Sequence, residues 1–322
     1  MLRFAILSLA FFASLVSASA QTPIPSDSRL KSIVDNKTIR IAYRTDATPF
    51  SFKNQNGEPA GFSLELCQLV TKSIGQQFGV SDIKIEWVPV TVQTRFSAIS
   101  SGQADMECGS STITLGRMKE VDFSNITFVE STGVVVARAA NFHAFTDMAG
   151  KKIAVVAGTT NEAAVNEQNR AHDLKITVIT VKDRDEGIDA LESGKVDGYA
   201  GDKLLLVGTQ AKHPETLVLL PDDLSIESYA IALPRGDWAL RLAVNTGLAP
   251  VFRSGLIFAG FERWFGQFGL QPGVLSQVAW ALGALSGLII PSPHTGPMLR
   301  WVRMSAFGGK ADITRKCPDV CF

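Results

Sequence analysis

Eleven consecutive residues, Glu107 to Arg117 (ECGSSTITLGR), carry the densest chemistry in the chain. They follow Asp105-Met106, where a short strand pattern runs out. Ser110, Ser111, Thr112 and Thr114 offer hydroxyls, the loop offers backbone N–H groups, and Arg117 supplies a guanidinium. That set makes a receptor for a carboxylate. The guanidinium forks onto both oxygens, and the hydroxyls complete the hydrogen bonding. Taken alone, the segment also suits a polar loop that ends in a surface arginine.

Three further groups point to related chemistry. Ala157-Gly158-Thr159-Thr160 lies between a strand pattern and a helix pattern, and Thr159 with Glu162 fits the T-x-x-E capping box. A helix N-terminus presents free N–H groups and a positive dipole end, so Thr159 and Thr160 suit either an anion contact or a plain cap. Asp202, in VDGYAGDKLLL, could take a ligand ammonium or cap the helix that follows. Arg44 closes the first strand in RTDATPFSF, and Arg95 opens a helix in TVQTRFSAI. The two could meet a second carboxylate, or each could be a solvated surface arginine.

In open α/β sheets, ligands bind at the carboxyl ends of strands, and all four groups fall there. The elements that place them are legible from periodicity. Ile39, Ile41 and Tyr43 alternate as a first strand; Phe62, Leu66, Leu69, Val70 and Ile74 repeat at helical spacing; Ile83, Ile85 and Trp87 alternate again. A short helix through Phe96 and Ile99 stops at Gly102, and Ala104 to Cys108 makes a third strand. The pattern restarts with strands at Lys152 to Ala157, Ile176 to Val181 and Val196 to Ala200, separated by helices at Asn161 to Arg170 and Asp185 to Ser193. Another helix runs from Asp202 to Ala211. This order predicts two α/β lobes, each a mainly parallel sheet flanked by helices. The apolar strand Gly133 to Ala137 and a return through Tyr229 to Leu233 give a two-segment hinge. From Asp237 the chain is helical and amphipathic.

The chain opens Met1-Leu2-Arg3, continues apolar from Phe4 to Val16, and reaches Ala18-Ser19-Ala20 before Gln21. A positive start, a short apolar run and an A-x-A site read as a secretory signal peptide over residues 1–20. The expected domains are residues 30–136 plus 232–272 for lobe 1, 137–231 for lobe 2, and an atypical tail over 273–322. In the tail, Val274 to Ile290 is almost wholly apolar, at the lower limit for a membrane span. Pro291 to Phe322 has no evident place in the core.

Charges balance at 31 basic and 31 acidic, so no basic stripe calls for nucleic acid. Four cysteines are too few for a disulfide scaffold and fit no zinc spacing. Cys67 and Cys108 are expected as buried free thiols, with a disulfide between them left open. No P-loop, H-E-x-x-H or G-x-S-x-G motif occurs, and the four histidines are scattered. Asp105 and Glu107 read as structural rather than as an acid/base pair. No cofactor and no metal are expected.

Together RTDATPFSF, the helix around Leu66-Cys67, TVQTR, ECGSSTITLGRMKEVDFS, AGTTNE, KDRDEG, LESG and the close from Ser254 to Phe265 resemble the periplasmic amino-acid-binding proteins of ABC importers. The match is closest to their glutamate/aspartate-binding subfamily and covers about residues 30 to 272. The resemblance implies the two-lobed periplasmic-binding-protein fold, type II, with the helices after Asp237 packed on lobe 1. It implies that Ser110, Thr112 and Arg117 hold the ligand α-carboxylate, helped by Thr159 or Thr160. Asp202 would hold the α-ammonium, and Arg44 and Arg95 the side-chain carboxylate. Val92 stands where a serine is usual, removing one hydroxyl. Arg184 stands where a histidine is usual; it would add positive charge if it points inward, and could instead fill the pocket or point outward. The expected protein is a periplasmic monomer that delivers an acidic amino acid to an inner-membrane ABC permease. The rival readings are an exported dehydratase-like enzyme on the same fold and a ligand-presenting partner of a receptor.

Overall fold

The computed structural model describes residues 23–286; the expected signal peptide and the end of the tail lie outside the described residues. Two five-stranded sheets form the frame. The first runs Lys84–Val90, Thr38–Arg44, Met106–Glu107, Glu227–Pro234, Val121–Glu130. The second runs Thr177–Val181, Lys152–Val156, Gly198–Asp202, Thr132–Ala137, Leu217–Leu219.

Both sheets are mixed, which corrects the expectation of mainly parallel ones. Three strands at one side of each sheet pair in parallel, joined by helical crossovers. The other two pairings in each are antiparallel. The reason is the double crossing between lobes. Val121–Glu130 leaves the first sheet, Thr132–Ala137 enters the second, and Glu227–Pro234 returns. A strand that arrives from the other lobe runs opposite to its neighbours. The chain therefore crosses at Ser131 and again at Ser225-Ile226, a few residues before each expected boundary.

The first lobe packs around aromatic rings. Phe50 is fully buried and meets Phe62, Phe128, Tyr229 and Phe265 at 5.0–6.1 Å between centroids. Helices Trp238–Arg253 and Leu256–Phe265 close this core, as the resemblance implied. Cys67, on the inward face of helix Phe62–Phe78, is bonded to Cys108. The expectation of free thiols is thus corrected: the helix lies over the strand end, and the two Cα atoms are 6.5 Å apart.

Part of the tail also belongs to the first lobe. Helix Val274–Ser286 packs on strand Val121–Glu130 and helix Trp238–Arg253. Trp280 is buried against Phe128, Phe258 and Phe261, and its indole N–H donates to the Thr127 carbonyl at 2.8 Å. The Ser276 hydroxyl donates to the Val129 carbonyl at 3.0 Å. Among the described residues no single helix is long and apolar enough to cross a membrane.

Candidate functional site

The strand ends of the two sheets face each other across a cleft, and most of the singled-out residues line it. Its walls include Arg44, Arg95, Ser110, Arg117, Thr159, Thr160, Arg184 and Asp202, together with Asp46, Asn161 and Tyr199. The cleft is nearly shut, with a cavity of about 40 Å³ between its walls. The lobes touch across it: Thr112 Oγ1 lies 3.4 Å from Thr160 Oγ1, and the Gln93 amide donates to the Lys182 carbonyl at 3.3 Å. The arrangement is therefore a closed one.

Arg117 begins the short 3-10 turn after the hydroxyl-rich loop. Its Nη1 donates to the Thr112 carbonyl at 2.8 Å, which fixes the guanidinium against the loop. Its Cζ lies 5.3 Å from the Phe96 ring centre, and the Arg95 Cζ lies 4.8 Å from the same ring. Two guanidiniums thus share one aromatic support. Arg95 opens helix Arg95–Ser100 and is buried. Its guanidinium has no hydrogen-bond or ion-pair partner among the described residues, and its Nε is fully shielded from solvent. Burial, then repulsion from Arg117, pulls it down to about 9, against the opposing charge of Glu107. Burial also lowers Arg117, opposed by Glu227 and Asp202. Two perturbed guanidiniums in one cleft make this wall a candidate anion site.

On the opposite wall, Asp202 ends strand Gly198–Asp202. Its carboxylate makes no capping bond to the following helix, which removes the plain-cap reading. Instead it accepts from the Asn161 amide at 2.9 Å. Burial pushes its pKa up, and the Glu227 charge adds to this against the Asn161 hydrogen bond. Arg184 begins helix Arg184–Glu192, which lies close against the sheet because residue 187 is glycine: a Cβ there would stand 2.3 Å from the Tyr199 ring. That approach brings Arg184 to the cleft wall, where Val92 also lies.

Four of these side chains already have partners within the protein. The Thr112 hydroxyl donates to Glu227 Oε2 at 2.6 Å, so it turns toward the crossover rather than the cleft. The Thr159 hydroxyl caps its helix, accepting from the Glu162 N–H and donating to the Val156 carbonyl. Thr160 lines the cleft, yet its hydroxyl also donates to Glu227 Oε2, at 2.6 Å. Arg44 is paired within its own lobe: Nε and Nη2 each donate to the Asp46 carboxylate at 2.8 Å. Ser110 makes no side-chain hydrogen bond to a described residue and faces the cleft.

Sequence reasoning passed over Asp46, Asn161, Tyr199 and Glu227. Asp46 had a signal, since residues two apart on an extended chain share a face. Asn161 follows the predicted cap directly. Glu227 had none: it accepts hydroxyls from Thr112, Thr160, Thr132 and Ser225, gathered from both lobes. Asp105, expected as structural, accepts from Arg40 at 2.6 Å and from the Arg40 N–H at 2.8 Å. Glu107 is buried, does not line the cleft, and neither carboxyl oxygen has a hydrogen-bond partner among the described residues. Burial pushes its pKa up.

Residues 39–267 match the model for bacterial extracellular solute-binding proteins, family 3. The chain belongs to that family. An L-glutamate/L-aspartate-binding protein of Pseudomonas aeruginosa is 32% identical over 81% of this chain and 87% of its own length. A glutamate/aspartate import solute-binding protein of Escherichia coli is 28% identical, with coverage of 81% and 87%. Among solved structures, an ancestral amino acid-binding protein described as a precursor of cyclohexadienyl dehydratase superposes with a TM-score of 0.65. It is 29% identical and is matched over 74% of this chain and all of its own. The matching solved structures are type II periplasmic amino-acid-binding proteins, and this chain shares their two-lobed α/β fold.

Proposed function

We propose that this protein captures an acidic amino acid, glutamate or aspartate, between its lobes and delivers it to an ABC permease in the membrane. The observation that carries the reading is Arg95: a buried guanidinium without an anion, beside Arg117 and across the cleft from Asp202. A buried cation needs a partner, and a ligand carboxylate supplies one. The P. aeruginosa and E. coli relatives, named for glutamate and aspartate, support the same class.

In this reading Arg117 and Ser110 receive the α-carboxylate, with the first-turn N–H groups of helix Thr160–Ala171 completing its hydrogen bonds. Asp202 receives the α-ammonium, which relieves the burial that raises its pKa. Arg95 and Arg184 receive the side-chain carboxylate. Ligand contacts from both lobes favour the closed arrangement. We read the protein as a binder rather than an enzyme, in line with relatives named as binding proteins. We read the N-terminal segment as an export signal and the mature protein as a periplasmic monomer.

The test is calorimetric titration of protein refolded from denaturant, which frees any carried ligand. Glutamate, aspartate, glutamine, arginine and leucine are compared. Glutamate or aspartate is expected to bind at micromolar Kd or tighter, about −8 kcal/mol. Arg117→Ala is expected to cost about 2–5 kcal/mol, because a carboxylate is left buried and unpaired. Wild-type affinity in that variant, or turnover of a carboxylated substrate, overturns the reading.

A further inference from the structure

We infer that Asp46 sets how the cleft discriminates acidic from amide side chains, by holding Arg44 in a neutral pair and presenting its own carboxylate to the ligand. The inference deepens the proposed function and rests on it.

Arg44 ends strand Thr38–Arg44, and its backbone is clamped by Ser51: the Arg44 N–H donates to the Ser51 hydroxyl at 2.9 Å, and that hydroxyl donates back to the Arg44 carbonyl at 3.2 Å. Its side chain is 7% exposed. Asp46 opens a small three-stranded sheet, paired to Phe52, beside fully buried Ala47. Both ends of the pair are therefore fixed by backbone hydrogen bonding, and the fork-to-carboxylate geometry follows at 2.8 Å and 2.8 Å. Asp46 stays ionised in the cleft. Burial opposes its charge, but the Arg44 and Arg184 guanidiniums hold its pKa below the usual carboxylate range.

The consequence is a change in the charge the ligand meets. Of four arginines lining the cleft, Arg44 already has its counter-ion. Each Asp46 oxygen retains an acceptor lone pair beyond the Arg44 bonds. A ligand carboxylate has no hydrogen to offer Asp46 and meets its negative charge. A ligand amide offers its oxygen to a guanidinium and its NH₂ to Asp46. The pair thus narrows the gap between glutamate and glutamine, and between aspartate and asparagine. The ligand class this cleft takes is amino acids with acidic or amide side chains.

The test is the ratio of glutamine Kd to glutamate Kd in wild type, Asp46→Asn, Asp46→Ser and the double variant Arg44→Met/Asp46→Asn. Freeing Arg44 is expected to raise the ratio about tenfold or more in both single variants. Removing Arg44 as well is expected to bring the ratio down from the single-variant value, while leaving it above wild type because the Asp46 carboxylate is still missing. A purely structural role for Asp46 would weaken both ligands equally and leave the ratio unchanged, which overturns the inference. Two independent single variants guard against one that fails to fold. A wild-type protein that binds none of the four amino acids overturns the functional reading itself, a different result from an unchanged ratio.

Discussion

Glu227→Gln should weaken ligand binding although residue 227 does not line the cleft. Glu227 begins strand Glu227–Pro234 just after the second crossover and is almost fully buried. Its Oε2 accepts from Thr112 and Thr160 at 2.6 Å each, and its Oε1 accepts from Ser225 at 2.6 Å and Thr132 at 3.3 Å. Thr112 belongs to the same lobe as Glu227, and Ser225 and Thr132 flank the crossovers, so those three bonds survive a hinge opening. Thr160 lies in the first turn of a second-lobe helix, and its bond must break. One hydrogen bond to a charged acceptor contributes about 1.5–3 kcal/mol. Losing it lowers the closed population, and raises the ligand Kd, by about 10- to 150-fold. Thr160→Val removes the same bond from the other side, so the double variant should lose little more than the worse single one. Titration calorimetry gives the Kd values, and small-angle scattering of ligand-free protein reports the shift toward open lobes. A Kd within twofold of wild type for Glu227→Gln, or additive losses in the double variant, refutes the latch.

Three further outcomes are expected. The Cys67–Cys108 bond spans 41 residues, and closing such a loop stabilises the fold by about 4 kcal/mol on chain-entropy grounds; urea melts of Cys67→Ser/Cys108→Ser against wild type check this. Trp280→Ala should cost about 3–5 kcal/mol in the same assay, since it empties a buried site and leaves the Thr127 carbonyl without its donor; an unchanged midpoint would show that helix Val274–Ser286 does not dock. Burial raises the Glu130 carboxyl to about 8, so in this pH range the folded state binds more protons than the unfolded chain. Stability should therefore fall as pH rises from about 4.5 to 8, and Glu130→Gln should flatten that slope in thermal melts.

How far the sequence reached depends on the range of each interaction. Period-two and period-3.6 patterns placed most strands and helices, because those periods are local to a segment. The site was legible for the same reason. A residue at the end of a strand is at the mouth of an α/β sheet whatever the rest of the chain does. Arg95, Arg117, Ser110, Arg184 and Asp202 line the cleft on that logic. Where two roles competed for one hydroxyl, the sequence could not choose between them. Thr159 serves its helix, while Thr112 and Thr160 serve a carboxylate 115 and 67 residues away.

Partnership across the fold was decided only by tertiary structure. Cys67 meets Cys108 because a helix lies over a strand end, which no spacing encodes. The sheets are mixed because the chain crosses between lobes, reversing strands whose own patterns carry no direction. The apolar run from Val274 had the composition of a short membrane segment, yet Trp280 and Ser276 share a face that a core strand was waiting to cover. By itself, then, the sequence determined which residue types stand at the cleft and which charge they bring. The fold decided which of those charges are already answered, as Arg44 is by Asp46, and which have no partner among the described residues, as Arg95 has none. The physical reason is that periodicity fixes direction along a segment, whereas neutralisation depends on distance between segments.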